Sequence, residues 1–140
     1  MLAVEKFHRY LLGVPPTENQ CAFYRSKRRG VNFSGFDRDG FRAVFVLAVY
    51  TANYGPVLLV TSKALEKKVL AAIQEVAREI FRRFKGKEVP VKAFANCIKQ
   101  LKIASRFLQP NDEPRHWFSV GLGENDPIPG WLRNKLWTKS

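Results

Sequence analysis

Residues 41–52 have the sequence FRAVFVLAVYTA, and this stretch decides the predicted fold. Every position from 43 to 50 is apolar, which is typical of a strand covered on both faces at the centre of a sheet. Turn-forming residues occupy 51–56, and Val57–Thr61 is a second apolar run. A connection this short joins neighbouring strands in an antiparallel arrangement. The two runs therefore predict the middle of an antiparallel sheet.

The segments on either side of this pair predict the other elements. An amphipathic pattern predicts a short helix over residues 2–12, and the apolar and aromatic residues 21–24 predict a further strand. Apolar residues at helical spacing predict a long helix over 62–86 and a second over 90–108. The expected fold class is α+β: an antiparallel sheet of three to five strands with an N-terminal helix, two long helices packed on one face, and an extended aromatic C-terminal tail.

The overall composition describes a basic, folded chain. It has 140 residues with 24 Lys+Arg and 12 Asp+Glu, a formal net charge of +12. This length and an apolar content of 46% favour a folded domain over a disordered chain. The apolar run at 43–50 is far shorter than the ~20 residues of a membrane-spanning helix. No signal peptide is visible, so the cytoplasm is the expected location.

The charge is distributed unevenly along the chain. Residues 110–140 contain four basic and four acidic side chains, so residues 1–109 hold the whole excess, with 20 basic and 8 acidic. All three tryptophans, Trp117, Trp131 and Trp137, lie in the neutral segment. The pattern therefore predicts a basic α+β domain, 1–109, and a tail or strap rich in Pro and Trp, 110–140, that packs on the domain or on a partner.

A positive excess of this size favours polyanionic partners. One candidate contact is the loop that follows Phe23 and Tyr24, because it places cations beside stackable rings. Another is the polar side of the predicted helix over 90–108. A third basic cluster, at residues 78–87, is better explained by the helix macrodipole, which favours cations in the last turn. The candidate polyanion or acidic-partner contacts are Arg25, Lys27, Arg28, Arg29, Lys92, Lys99, Lys102 and Arg106.

The tail has two interpretations. It can fold back and cover the sheet or the last helix, since tryptophan is usually well buried. Alternatively, its last apolar segment docks on a partner protein, because Trp and Arg dominate protein interfaces. The candidate docking residues are Trp131, Leu132, Arg133, Leu136 and Trp137.

The sequence contains little that indicates catalysis. Asp37 and Asp39 lie in a turn-like segment that fails as a calcium loop, because Phe41 and Ala48 occupy ligand positions. The same two aspartates leave a small metal-dependent nuclease as an alternative. The histidines and cysteines have no partner nearby in the sequence. We therefore expect a protein that is not an enzyme and that needs no cofactor and no metal.

In size, charge and the plan of a basic body with a neutral aromatic tail, the chain resembles the small phage-encoded regulators that bind bacterial RNA polymerase. The resemblance implies a transcription regulator, an inhibitor or antiterminator, that docks on a polymerase subunit or sigma factor in the host cytoplasm without a cofactor. Its basic body would lie near nucleic acid. The alternatives are a direct single-stranded RNA- or DNA-binding protein, using Tyr24 and the loop after it, and the nuclease.

Overall fold

The computed structural model describes residues 2–26, 30–31, 38–55, 57–85, 87, 94, 101–103 and 116–120. This part of the chain contains four α-helices and four short strands. In chain order they are α1 (Ala3–Leu12), α2 (Glu18–Ser26), β1 (Gly30–Val31), α3 (Arg38–Ala52), β2 (Val57–Thr61), α4 (Glu66–Arg83), β3 (Leu101–Ile103) and β4 (His116–Val120). A 3₁₀ turn, Lys63–Leu65, leads into α4.

The strands form a parallel sheet in the order β1-β4-β2-β3. Its longest ladder joins β2 and β4, where Val57 is opposite His116 and Thr61 is opposite Val120. β3 pairs with the second half of β2, and the two residues of β1 pair with the end of β4. Every strand pair in the described residues is parallel, so the prediction of an antiparallel sheet is wrong.

The main error concerns residues 41–52, which lie in the helix α3 and not in a strand. A continuous apolar run has no periodicity, so it cannot distinguish a buried strand from a buried helix. Here the run is apolar because α3 is enclosed by other elements and contacts α1, α2, α4, β2 and β4. Phe41, Phe45 and Val49 are among its fully buried residues. Helix α3 is therefore the centre of the hydrophobic core.

Residues 21–24, also predicted as a strand, belong to α2. The helix begins with a capping box: the Gln20 backbone N–H donates to Thr17 Oγ1 over 3.2 Å, and the Thr17 N–H donates to Gln20 Oε1 over 2.8 Å. The Gln20 side chain also donates to the carbonyl oxygen of Asp39, which ties α2 to the start of α3. The Thr17–Gln20 spacing was the sequence signal for this helix.

Three predicted elements are confirmed: the helix over 2–12 as α1, the strand Val57–Thr61 as β2, and the long helix over 62–86 as the 3₁₀ turn and α4. Helix α4 buries the stripe Val69, Ile73, Val76 and Ile80. It also provides the crossover that two parallel strands require, because β2 precedes it and β3 follows it.

The prediction of a second long helix, over 90–108, is wrong at residues 101–103, which form β3 and pair with β2. Leu101 follows Phe94, Cys97 and Ile98 at helical spacing, which predicted the helix, whereas Leu101 and Ile103 are two residues apart and share one face of a strand. Phe94 is helical and buried, and the rest of 90–108 lies outside the described residues.

The segment 110–140 contributes a strand to the sheet. His116–Val120 forms β4, which lies between β1 and β2, and both Phe118 and Val120 are buried. The division of the chain at residue 110 remains a prediction. The position of β4 nevertheless makes part of the segment structurally continuous with the preceding residues.

Candidate functional site

A row of aromatic side chains crosses the surface where α1, α3 and α4 meet. Tyr54 contacts Tyr50 (5.9 Å between ring centroids), Tyr50 contacts Phe7 (5.4 Å), Phe7 contacts Tyr10 (6.2 Å), and Tyr10 contacts Phe84 (5.0 Å). We call these five residues the aromatic strip. Each ring therefore touches the next without interruption across three elements of the fold.

The exposed rings of the strip are tyrosines. Tyr54, just beyond the end of α3, is 74% exposed, and Tyr10, near the end of α1, is 46% exposed. Phe84, the residue that follows α4, is buried, and its ring packs at a tilt against that of Tyr10. Large apolar rings usually pack inside a protein, so a connected row with two exposed members marks a candidate binding surface.

Arg83, the last residue of α4, lies against the end of α1. Its Nε donates a 3.1 Å hydrogen bond to the carbonyl oxygen of Tyr10, one of the last carbonyls of the helix, which have no partner within it. Its guanidinium carbon lies 5.3 Å from the centroid of the Phe84 ring. Arg83 therefore connects the aromatic strip to the basic end of α4.

Five cations gather at that end, Arg78, Arg82, Arg83, Lys85 and Lys87, and we call this group the basic end; all five side chains are exposed. The two acidic residues in the same half of α4, Glu75 and Glu79, form ion pairs with arginines of α3. Glu79 accepts a 2.8 Å hydrogen bond from Arg42, and Arg38 lies 3.5 Å from Glu75 and 3.6 Å from Glu79. The two glutamates are thus paired with arginines of α3 and do not neutralise the basic end. Within the described residues no acidic side chain pairs with a cation of the basic end.

The helix macrodipole accounts for only part of this charge. It is equivalent to roughly half an elementary charge at a helix C-terminus. The ends of α1 and α4 together therefore present about one negative charge. The basic end has five cations, and Arg9 adds another in the last turn of α1. Even with Glu88, which follows in the sequence, the positive charge exceeds what the two helix ends neutralise.

Arg25, a predicted polyanion contact, pairs with a carboxylate. Its Nε donates a 3.0 Å hydrogen bond to Glu5, whose side chain is only 4% exposed, while the Arg25 side chain is 63% exposed. The pair neutralises a buried acid between α1 and α2. The sequence could not show this ion pair, because the two residues are 20 positions apart.

A second polar pair, which is buried, also joins α1 to α2. A 2.7 Å hydrogen bond joins His8 Nδ1 to the Tyr24 hydroxyl. Burial, reinforced by the positive charge of Arg42, lowers the pKa of His8 to about 4. Burial also raises the pKa of Tyr24, with smaller contributions from Cys21 and Glu5. Tyr24 is buried and its ring is not available for stacking, so the predicted pairing of Tyr24 with the basic loop is wrong.

Of the remaining residues predicted from the sequence to form a site, the structure describes only Lys102 and Asp39. Lys102 lies on β3, where the structure describes the backbone alone, and Asp39 lies in the first turn of α3. Within the described residues no group of three or more His, Cys, Asp or Glu side chains could hold a metal ion. The other predicted contacts, docking residues and metal ligands lie outside the described residues: Lys27, Arg28, Arg29, Asp37, Lys92, Lys99, Arg106, Trp131, Leu132, Arg133, Leu136 and Trp137.

The aromatic strip was not predicted from the sequence. Phe7 and Tyr10 are three residues apart on α1, which places their rings on adjacent turns of one face. That spacing was visible in the sequence. The contacts with Tyr50 and Phe84 were not, because they depend on how α3 and α4 pack against α1.

Neither protein-family models, curated proteins nor solved structures gave a match to this chain. No helix in the described ranges is both long enough and apolar enough to span a lipid bilayer.

Proposed function

We propose that this is a non-enzymatic, cytoplasmic binding protein whose basic end contacts the phosphate backbone of a nucleic acid. The observation that carries the proposal is the separation of charge on α4. Glu75 and Glu79 are engaged by the arginines of α3, and the cations of the basic end face solvent. A surface with one sign of charge attracts a polyanion and raises its rate of association.

Phosphate contacts predict a steep dependence of affinity on salt, because each neutralised phosphate releases counterions. If four cations of the basic end engage phosphates, affinity for duplex DNA falls about 100-fold between 50 mM and 200 mM salt. Titration of a fluorescently labelled oligonucleotide, followed by anisotropy at several salt concentrations, measures this slope.

The decisive variant is Arg78→Gln with Arg82→Gln, because both side chains are exposed and neither pairs with an acid in the described residues. The matched control, Lys67→Gln with Lys68→Gln, removes the same charge from exposed positions near the other end of the same helix. We expect the first variant to bind at least 10-fold more weakly and to lower the salt slope by about two. Equal weakening by both variants would show a dependence on net charge alone and would contradict a specific basic end.

A second proposal is docking on RNA polymerase through Trp131–Trp137, which rests on the neutral, tryptophan-containing composition of residues 110–140. Pull-down from host lysate with and without nuclease treatment distinguishes docking on the polymerase from binding to nucleic acid alone. Polymerase subunits retained after nuclease digestion support docking on the enzyme. Loss of every partner on digestion supports the nucleic acid alone and contradicts polymerase docking.

A further inference from the structure

We propose that the aromatic strip gives the site a preference for single-stranded nucleic acid, with phosphate bound at Arg83 and a base stacked on Tyr10. This inference rests on the proposed function, since it assumes that the basic end binds phosphate. It goes further by naming the form of nucleic acid and the two side chains that recognise one nucleotide.

Arg83 is positioned in advance for a phosphate. Its Nε donates to the carbonyl oxygen of Tyr10, and its guanidinium lies over Phe84, so two contacts orient the side chain. Within the described residues no hydrogen bond engages its two terminal nitrogens. Those two groups present parallel N–H donors, which suit two oxygens of one phosphate.

Tyr10 supplies the stacking surface beside that phosphate position. Its ring is supported by Phe84 and Phe7, and it is 46% exposed. A ring packed against other rings loses little freedom when a base covers its open side. Stacking on such a ring does not depend on which base is present, because every base has a π-face.

The rest of the strip extends this surface away from the basic end. Phe7 and Tyr50 connect Tyr10 to Tyr54, which is the most exposed ring of the row. The bases of a duplex are stacked on each other and cannot lie on protein side chains. The unpaired bases of a single strand can, while a phosphate of the same strand reaches Arg83, which is hydrogen-bonded to the carbonyl oxygen of Tyr10. The combination of rings and cations therefore fits a single strand better than a duplex or an apolar protein surface.

The test compares a labelled single-stranded oligonucleotide with a duplex of the same length. We expect the single strand to bind the wild-type protein at least 10-fold more tightly than the duplex. Tyr10→Leu and Tyr54→Leu should each weaken single-strand binding about 5- to 150-fold, the range for loss of one stacked base. Duplex binding should stay within twofold, and Tyr10→Phe should retain most of the single-strand affinity because it keeps the ring.

Phe81→Leu is the matched control. Phe81 is 44% exposed on α4, close to the exposure of Tyr10, but among the described residues its ring pairs with Phe94 and with no ring of the strip. Its substitution should leave the affinity for both nucleic acids unchanged. Tyr54 lies in a turn beyond α3 and is mostly exposed, so Tyr54→Leu keeps the test valid even if Tyr10→Leu unfolds the protein.

Equal affinity for single strand and duplex overturns the inference, as does an unchanged affinity in a folded Tyr10→Leu variant or, where that variant unfolds, in Tyr54→Leu. In either case the proposed function stands if Arg78→Gln with Arg82→Gln still weakens binding. Absence of salt-sensitive binding to either nucleic acid overturns the proposed function itself. A wild-type dimer in analytical ultracentrifugation that both Leu variants convert to monomer assigns the strip to self-association and also overturns the inference.

Discussion

The guanidinium of Arg83 closes the end of α1 through a hydrogen bond from its Nε to the carbonyl oxygen of Tyr10 (3.1 Å). Gly13 makes this approach possible. It terminates α1 with a φ of 76°, and its N–H donates to the carbonyl oxygen of Arg9. A Cβ at Gly13 would lie 2.8 Å from Nη1 of Arg83. Gly13 therefore both terminates α1 and leaves room for the Arg83 guanidinium, the proposed phosphate contact.

Gly13→Ala should destabilise the protein by about 1–2 kcal/mol, because alanine is strained at a positive φ and its Cβ displaces Arg83. Urea unfolding measures the loss. In the Arg83→Ala background the same substitution should cost less, since the clash is absent and only the backbone strain remains. Equal costs in the two backgrounds would show that Arg83 does not rest on Gly13.

Arg25→Gln should destabilise the fold by about 1–2 kcal/mol, because it leaves the buried carboxylate of Glu5 without its partner. The value lies below that for a fully buried pair, since solvent screens the exposed arginine. Glu5→Gln combined with Arg25→Gln should recover much of the loss, which a double-mutant cycle from urea unfolding quantifies. An Arg25→Gln midpoint equal to that of the wild type would contradict a stabilising ion pair.

Acid should destabilise the protein through His8. Its pKa is about 4 in the folded protein and 6.5 as the ordinary value, so between these limits the unfolded chain binds more protons than the folded one. Stability is therefore lost as the pH falls from 6.5 to 4, by about 3 kcal/mol in total, and this contribution changes no further below pH 4. Urea unfolding at pH 7, 5.5 and 4.5 follows the change.

The control is His8→Gln, which has no titratable group at this position. It should be less stable than the wild type at pH 7, because the hydrogen bond to Tyr24 is altered, but it should lose less stability on acidification. The same pH dependence in both proteins would assign the acid sensitivity to carboxylates elsewhere.

A chain ending at residue 109 should not fold cooperatively. It lacks β4, which pairs with β2 along its whole length and buries Phe118 and Val120. Near-UV circular dichroism and thermal unfolding detect the loss of fixed packing. A chain ending at residue 123, which keeps β4, distinguishes the loss of this strand from the loss of later residues. Cooperative unfolding of the shorter chain would show that residues 1–109 fold without the strand.

The sequence predicted elements whose signal is local. Helix α4 has a buried stripe of consistent spacing, α1 is amphipathic, and β2 is a short apolar run between turns. Residues 41–52 were misassigned because residues 43–46, 48 and 49 of α3 are all buried, and burial on successive positions removes the periodicity that identifies a helix. The pairing of β2 with β4 could not be predicted for a different reason. It joins residues about 59 positions apart, and no local sequence pattern indicates such a pairing.

In the candidate site, too, local features were visible in the sequence and contacts between distant residues were not. The excess of cations at residues 78–87 was visible in the sequence, and the macrodipole was the simplest explanation for it. The ion pair between Glu79 and Arg42 leaves the cations of the basic end without this acidic partner. The pair forms only when α3 packs against α4, so the sequence did not reveal it. Likewise, the contact between Tyr10 and Phe84 exists only once both helices are in place.

The order of the sheet also constrains when this protein can fold during synthesis. Both β1 and β2 are made early, yet the strand that lies between them is β4, which ends at residue 120. Until the ribosome has added those residues, β2 has an open edge of unpaired backbone groups, a template for pairing with other nascent chains. The sheet is therefore completed late, and an interrupted translation product that stops before β4 is the species most exposed to aggregation.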